Sequence, residues 1–506
     1  MKHNWNTTRR VAERGLSGGV MRSTLRRGAD VRVVRDIIGH RRPASRVAGK
    51  RLGEMAGSSG IQSECASGQS IHYTEKFVFD STAEIPSPTD LKNEVFPMQR
   101  RDFLSSSFVA GLSVAASSSS LLRGADQTTA ATSDIVAAKS VFFGHPVVSG
   151  PAPESLTILQ AVNGPASGYL ELAIGNGEFQ RIDAEAAGLL PYDANVFKFV
   201  LPPLPDNESI RYRIAARSIT FKTDYNIIQG EVSSTPTYTF RTLNPQAATT
   251  KFVVWNDTHE HQETIRILQQ QTAALHPDFL MWNGDQTNNV HDPARMREQF
   301  LSPGELEICA RWPMAYSRGN HDVRGPGARQ VHQFTGTPDD RFYYAFRSGP
   351  VAALVMDTGE DKPDDREVFA GLAGFEAMRE RQKIWLAQVI QEPWFRSAPF
   401  RILFCHIPLW WNRDVSKYDF WIFSEVCRNA WLPLLKQAGV KIVISGHVHS
   451  ANWIPADDVQ AIGQLTGGGP KTNSATLIQG VADQHTLNIT CKSLDGKVLY
   501  DLKFEA

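Results

Sequence analysis

Thiol chemistry has little to work with in this chain. Its five cysteines, Cys65, Cys309, Cys405, Cys427 and Cys491, are odd in number and widely spaced, and none stands in a Cys-x-x-Cys pair. No disulfide framework is legible, and a thiolate zinc site is not indicated. No apolar run reaches the roughly 18–20 residues that span a bilayer. An excess of one charge is missing as well. Lys+Arg and Asp+Glu both number 53, which argues against a wholesale nucleic-acid binder. There is no internal repeat, and low complexity is confined to a Ser/Ala stretch near residues 105–120. With 506 residues, the chain has room for two or three domains and at least one large core.

What is present starts with charge unevenly spread. Residues 1–51 are strongly basic, from Arg9 and Arg10 to Lys50 and Arg51. Within them, Gly28-Ala29-Asp30 followed by an amphipathic stretch and Gly39-His40 resembles the end of a tyrosine recombinase catalytic domain. The resemblance covers about twenty residues, and no Tyr follows at the expected short distance. Residues 1–97 therefore read as an upstream segment outside the mature protein, with Met98 as the expected start. A DNA-recombination function would rest on this stretch alone.

Arg100-Arg101-Asp102-Phe103-Leu104 resembles a twin-arginine export signal. A modest apolar stretch at 108–116 and the small residues 117–120 follow, in the order a signal peptide requires. Residues 98–132 are the expected signal, and export to the periplasm or beyond is the expected localisation.

From 138 to 245 the pattern is short apolar or alternating runs split by Pro and Gly, at 155–162, 169–174, 196–201, 210–216 and 237–241. Such spacing predicts a small all-β sandwich. Leu201-Pro202-Pro203-Leu204-Pro205 with Ile210-Arg211-Tyr212-Arg213-Ile214 resembles a fibronectin type III domain. It shows no ligand cluster and reads as a packing or spacing module. Residues 243–250 read as a linker. After them, strands alternate with helices expected at 262–276, 375–391 and 424–438, the last closed by Gly439.

The chemistry lies in this 250–506 part. Five apolar runs, at 252–255, 279–282, 314–316, 402–404 and 440–444, each end in polar residues: Asp257-Thr258-His259, Gly284-Asp285, Gly319-Asn320-His321-Asp322, His406 and Gly446-His447-Val448-His449. Runs of this kind read as buried strands, and strand ends are where ligands collect in open α/β sheets. On extended backbone, residues two apart share a face, which would let Asp257 and His259 converge. Gly284 and Gly446 would let the backbone turn sharply before a ligand. Carboxylate, imidazole and amide together suit Fe, Zn or Mn.

These five fragments in this order resemble the calcineurin-like metallophosphoesterase superfamily, over about residues 250–470. The resemblance implies a two-sheet α/β/β/α sandwich, preceded here by the all-β sandwich. It implies two divalent or trivalent metal ions, one held by Asp257, His259, Asp285 and His449 and the other by Asp285, Asn320, His406 and His447. It implies hydrolysis of phosphoric esters by a hydroxide bridging the ions. His321 would assist the leaving group, and Asp322 would orient His321. The substrate would be a phosphorylated small molecule or a nucleotide, with no nucleic acid as a stable partner.

Some features depart from that pattern or add nothing to it. Purple acid phosphatases share the layout, but their Gly-Asp motif ends in a ligand Tyr where this chain has Asn288. His261, His291 and His332 read as solvated or supporting residues, and Cys405 as core. Trp410 and Trp411 either wall a substrate pocket or pack their loop on the core. Gly467-Gly468-Gly469 reads as a tight turn. Strands at 474–479, 486–491 and 498–504 are expected to form the second, smaller sheet. The alternative readings are a cyclic-nucleotide or other phosphodiesterase and a non-catalytic cell-surface binding protein.

Overall fold

A computed structural model of the chain describes residues 140–153, 155–410, 422–458 and 460–506. The basic segment, the export signal, Cys65 and Trp411 lie outside the described residues. Among the described residues, no helix is long and apolar enough to cross a membrane.

Strands Thr250–Trp255, Phe279–Asn283 and Met314–Ser317 pair in parallel, Trp255 beside Trp282 and Trp282 beside Tyr316. They are buried on both faces, which is why they read as unbroken apolar runs. Period-two alternation then sorts their side chains. Val253, Trp255, Leu280 and Trp282 face one core, packed with Ile265 and Leu268 of helix Gln262–Leu275. Phe252, Val254, Phe279 and Met281 face another core, shared with a second sheet.

That second sheet has the order Tyr344–Ser348, Val351–Met356, Phe400–Cys405, Val440–Ser445, Gly463–Thr466, Asn452–Ile454. Val355, Phe404 and Ile444 point toward the first sheet. Leu354, Leu403 and Val443 point the other way, onto Leu386 of helix Phe375–Val389 and Trp431 of helix Ile422–Gln437. The layers are helix, sheet, sheet, helix, as the resemblance implied. Gly439 ends the last helix in the left-handed region, at φ +65°.

Two assignments differ from the sequence reading. The C-terminal strands Thr476–Ala482, Thr486–Ser493 and Val498–Glu505 do not make the second sheet. They extend the first, Val254 pairing antiparallel with Ile478. Their Ile478 and Ile489 complete the inter-sheet core, and alternation alone does not say which edge a meander joins. The other difference lies at the expected 245–250 boundary. Val147–Ala152, Ser155–Ala161 and Val196–Val200 continue the first sheet, with Ser149 paired in parallel to Met314. Their opposite faces serve two cores. Val147, Leu159, Ala161 and Val196 pack with Val253, Trp255, Leu280 and Trp282 of the parallel strands. Val148, Ile158, Phe197 and Phe199 pack on Leu170, Tyr212, Ile214 and Phe240 of the sheet built on Ser209–Thr223. The N-terminal β-layers and the α/β layers thus share one nine-stranded sheet.

Candidate metal centre

The five motifs meet at the carboxyl ends of the strands. Asp257, His259, Asp285 and His449 form one group of closely spaced ligand atoms, and Asp285, His406 and His447 form a second. Asp285 belongs to both. Its Oδ2 lies 3.1 Å from His406 Nε2 and 3.4 Å from His259 Nε2. Asp257 Oδ1 lies 3.5 Å from His449 Nε2 and 3.8 Å from His406 Nε2. Asn320 Oδ1 is 2.8 Å from His447 Nδ1.

Strand alternation does not bring these groups together. Asp257, His259, Asp285, His447 and His449 all have φ between +43° and +71°. Left-handed backbone at a residue with a Cβ costs on the order of 1–3 kcal/mol and persists only where the surroundings over-determine it. Here they do. Asp257 N–H donates to Gly284 O, His259 N–H to Asp285 O at 2.9 Å, and His447 N–H to Asp257 Oδ1 at 2.8 Å. His321 N–H donates to Asp285 Oδ1 at 2.8 Å. Trp282, buried in the core, donates its Nε1–H to Thr258 Oγ1 between the first two ligands. Both glycines are required by space, since a Cβ at Gly284 would meet His406 Nδ1 and one at Gly446 would meet Asp257 Oδ2, each at 2.3 Å; Gly284 also turns at φ +85°.

Burial and charge oppose each other throughout the centre. Burial pushes Asp257 above the usual carboxylate range. Burial also opposes ionisation of Asp285, but His406 and His259 beside it hold it well below that range. Burial pushes His259 down to about 4 and His447 down to about 3, and lowers His449. His406 goes the other way. Burial disfavours its charge, yet Asp285 and Asp257 raise it to about 10. One imidazolium is thus the main local counter-charge for two buried carboxylates, a role cations fill better. His406 Nδ1 faces Asn283 O at 3.0 Å, and its buried Nε2 faces only the carboxylates of Asp285 and Asp257, at 3.1 and 3.8 Å. A ring held at one nitrogen with the other bare toward two carboxylates is the usual posture of a metal ligand. The donor set of carboxylate, imidazole and amide fits Fe, Zn or Mn.

His321 stands at the rim, its ring 4.8 Å from that of His259. The orienting role expected for Asp322 is not what the structure shows. The Asp322 carboxylate accepts from Tyr316 Oη, Gly319 N and Thr287 N, at 2.9, 2.9 and 3.1 Å. It ties two ligand loops together, and burial pushes it up to about 6. His321 is positioned instead by Asn288, whose carbonyl is 2.8 Å from Nδ1, and by Arg324, whose Nη1 is 3.1 Å from Nε2. Asn288 turns its side chain to His259 O at 3.1 Å.

The remaining candidates fall outside the groups. His261 caps helix Gln262–Leu275, accepting from Thr264 N–H. His291 is exposed, and His332 begins a short helix. Trp410 is buried in the outer core, so packing rather than a pocket wall explains it. Cys405 is buried in the same core. The Gly467–Gly469 run does approach the centre, Gly469 lying against His449. The sequence reading missed Asn256, whose Nδ2 donates to Ser445 O at 2.9 Å and joins the two sheets at the centre. It also missed Arg324, although a cation three residues after His321 was visible in the sequence.

Residues 250–451 match the model of the calcineurin-like phosphoesterase family. Serine/threonine-protein phosphatase CPPED1 of Danio rerio is 26% identical over 201 residues, 38% of this chain and 61% of that protein. The Homo sapiens protein of that name is 26% identical over 203 residues, 38% of this chain and 62% of its own length. The chain therefore spans about three fifths of the curated relatives it matches. Purple acid phosphatase PPD1 from yellow lupin (Lupinus luteus) seeds shares the fold, with a TM-score of 0.52 at 14% identity over 71% of this chain and 74% of that one.

Proposed function

We propose that the chain, whose residues 250–451 match the calcineurin-like phosphoesterase family, is an exported hydrolase of phosphoric esters working at two neighbouring cations. The observation that carries this reading is the sharing of Asp285 between two groups of ligand atoms. Asp257, His259, Asp285 and His449 would hold one ion, and Asp285, Asn320, His406 and His447 the other. When bound, such ions supply Lewis acidity toward phosphoryl oxygens and lower the pKa of a coordinated water.

The chain's own residues do the rest. The strained ligand loops are fixed before substrate arrives, so no reorganisation is needed as charge develops. His321 serves the leaving group. With Nδ1–H given to the Asn288 carbonyl, proton exchange falls to Nε2, on the side of the ring that Arg324 Nη1 faces. Phosphoryl transfer needs little beyond such positioning and charge. Asp322 acts one step back, keeping the His321 loop in register with Thr287.

The substrate is a phosphorylated small molecule or a nucleotide. The test is a panel of phosphomonoesters, phosphodiesters and cyclic nucleotides on protein of measured metal content, with Asp285→Asn as control. Turnover should follow bound metal and vanish in the variant. Metal-loaded wild-type protein that turns over no ester would leave a binding module and sink the reading. Export rests on Arg100-Arg101-Asp102-Phe103-Leu104. Replacing both arginines by Lys should retain the protein in the cytoplasm on fractionation, and undiminished export would rule out this route.

A further inference from the structure

Arg324 sits one turn beyond His321, where the short helix His321–Val323 ends. Its guanidinium is held from behind. Nε donates to Glu360 Oε1 at 2.8 Å, and Nη2 reaches Glu360 Oε2 and Asp361 Oδ1, each at 3.2 Å. The acids are themselves fixed, since Arg379, buried in helix Phe375–Val389, donates to the carbonyls of Thr358 and Glu360. Lys362 pairs with both carboxylates as well. Two acids therefore face two cations, and Arg324 is not quenched by surplus negative charge. The Glu360 side chain is 1% exposed and that of Arg324 is 26% exposed. The counter-ions lie inside and the guanidinium faces the rim. Only Nη1 is left out of the ion pairs, and it points at His321 Nε2, 3.1 Å away.

We propose that Arg324 is a substrate-binding residue whose Nη1 takes a non-bridging phosphoryl oxygen, and that it makes the centre select phosphomonoesters over diesters. This rests on the phosphoric-ester reading above. A buttress for the 357–361 loop would need only Nε and Nη2, and Lys362 already shares that task. A guanidinium pinned on one edge gives up little side-chain freedom when its other edge binds an oxyanion. A monoester dianion offers three non-bridging oxygens. A diester offers two, carries one charge fewer, and presents an uncharged ester oxygen in place of the third. Arg324 supplies a fixed positive charge for the oxygen that only the monoester has. Where that oxygen takes the hydrogen that Nη1 gives His321, Nε2 is freed to take up a proton from solvent, and the imidazolium, with Nδ1–H still on the Asn288 carbonyl, can pass it to the leaving oxygen.

The experiment compares kcat/KM on p-nitrophenyl phosphate and bis(p-nitrophenyl) phosphate for wild type, Arg324→Ala and Arg324→Lys, with metal content measured in each. Losing one charge-assisted hydrogen bond should lower the monoester value roughly ten- to a hundredfold, with a clearly smaller loss on the diester and both metals bound. Arg324→Lys keeps a partner for Glu360 and Asp361 and guards against misfolding, but it should still lose the monoester preference. Added guanidinium should restore part of the monoester rate to Arg324→Ala. Equal losses on both esters would mean that Arg324 acts only through His321 or its loop, and no loss on either would remove it from the site; each overturns the proposal. Calorimetric titration of inorganic phosphate into the metal-loaded proteins is an independent readout. The Kd should rise by a similar factor in both variants. An unchanged Kd overturns the proposal even if wild type hydrolyses neither ester, a result that would separately sink the hydrolase reading.

Discussion

The two ligand groups of the centre share Asp285 but stand in different surroundings. The second is interior. His406 follows strand Phe400–Cys405, is fully buried, and has its far nitrogen set against Asn283 O. The first is a rim. The His449 side chain is 45% exposed, and its Nε2 lies 3.0 Å from His259 Nε2, with no carbonyl behind it. An ion in the interior group would be held by donors that the fold itself positions. An ion at the rim would depend on a ring that can turn away. The difference teaches that a dinuclear centre on this scaffold would not be two equal sites. The interior group belongs to the inter-sheet core, and the rim group belongs to the loops.

Removing the shared ligand should abolish the distinction altogether. Asp285→Ala takes from both groups the carboxylate that would neutralise an ion in each. Metal analysis should find neither, and turnover should fall by at least on the order of 10⁴-fold, a part of the acceleration such enzymes provide. Retention of one full metal equivalent would show that the groups do not share Asp285.

His321→Ala should leave the comparison intact, because the ring contacts Asn288 and Arg324, and the backbone N–H that donates to Asp285 Oδ1 survives the substitution. Both metals should stay, and turnover of alkyl phosphates should drop by about 10²–10⁴-fold, the usual worth of a positioned acid. The loss should shrink on p-nitrophenyl esters, whose leaving group needs no proton. Metal loss would make His321 a ligand, and equal losses on both ester types would make it a donor to phosphoryl oxygen.

Single ligands should then sharpen the contrast. His406→Ala leaves a cavity and two buried carboxylates without their imidazole, so it should weaken the interior ion and the fold together. His449→Ala should weaken only the rim ion, with little change in Tm. Equilibrium dialysis and thermal melts of both variants read this. Equal Tm losses would mean that the rim is as built-in as the interior.

Much of the centre was legible in the sequence because each motif follows a continuous apolar run, and such runs are what parallel strands covered on both faces require. The helix over 262–275 was legible from Ile265 and Leu268 at helical spacing. What was not legible depends on contacts distant in sequence. Nothing in residues 476–482 says that they pair with Thr250–Trp255, and nothing local to Ser149 says that it pairs with Met314. Asp322 is a similar case. Its place beside His321 suggested a partner, but Tyr316, Gly319 and Thr287 claim its carboxylate. The convergence of Asp257 and His259 was expected for the wrong reason. Left-handed backbone, rather than strand pleat, aims them.

The smallest expected effect is a graded one, in pH. In the metal-free protein, His406 is pushed up to about 10, while His259 and His447 are pushed down to about 4 and 3. An imidazole must be neutral to bind metal. At pH 7, His259 and His447 already are, and His406 is not. Filling the interior group must therefore displace the His406 proton, and its affinity should rise with pH, by up to about tenfold per unit, until pH 10. Competition titrations with a chelator across pH 7–10 measure this, and the calorimetric heat should vary with buffer as a proton is released. His406→Asn removes the titrating ring and keeps an amide oxygen, so its slope should flatten. The same shift has a folding consequence. His406 is raised above the ordinary value of about 6.5, so its stabilisation of the metal-free fold is complete below that pH and is lost as pH climbs through about 10. The Tm of metal-free protein should accordingly fall across that window, and a pH-independent Tm there would mean that Asp285 and Asp257 do not hold His406 as the cation.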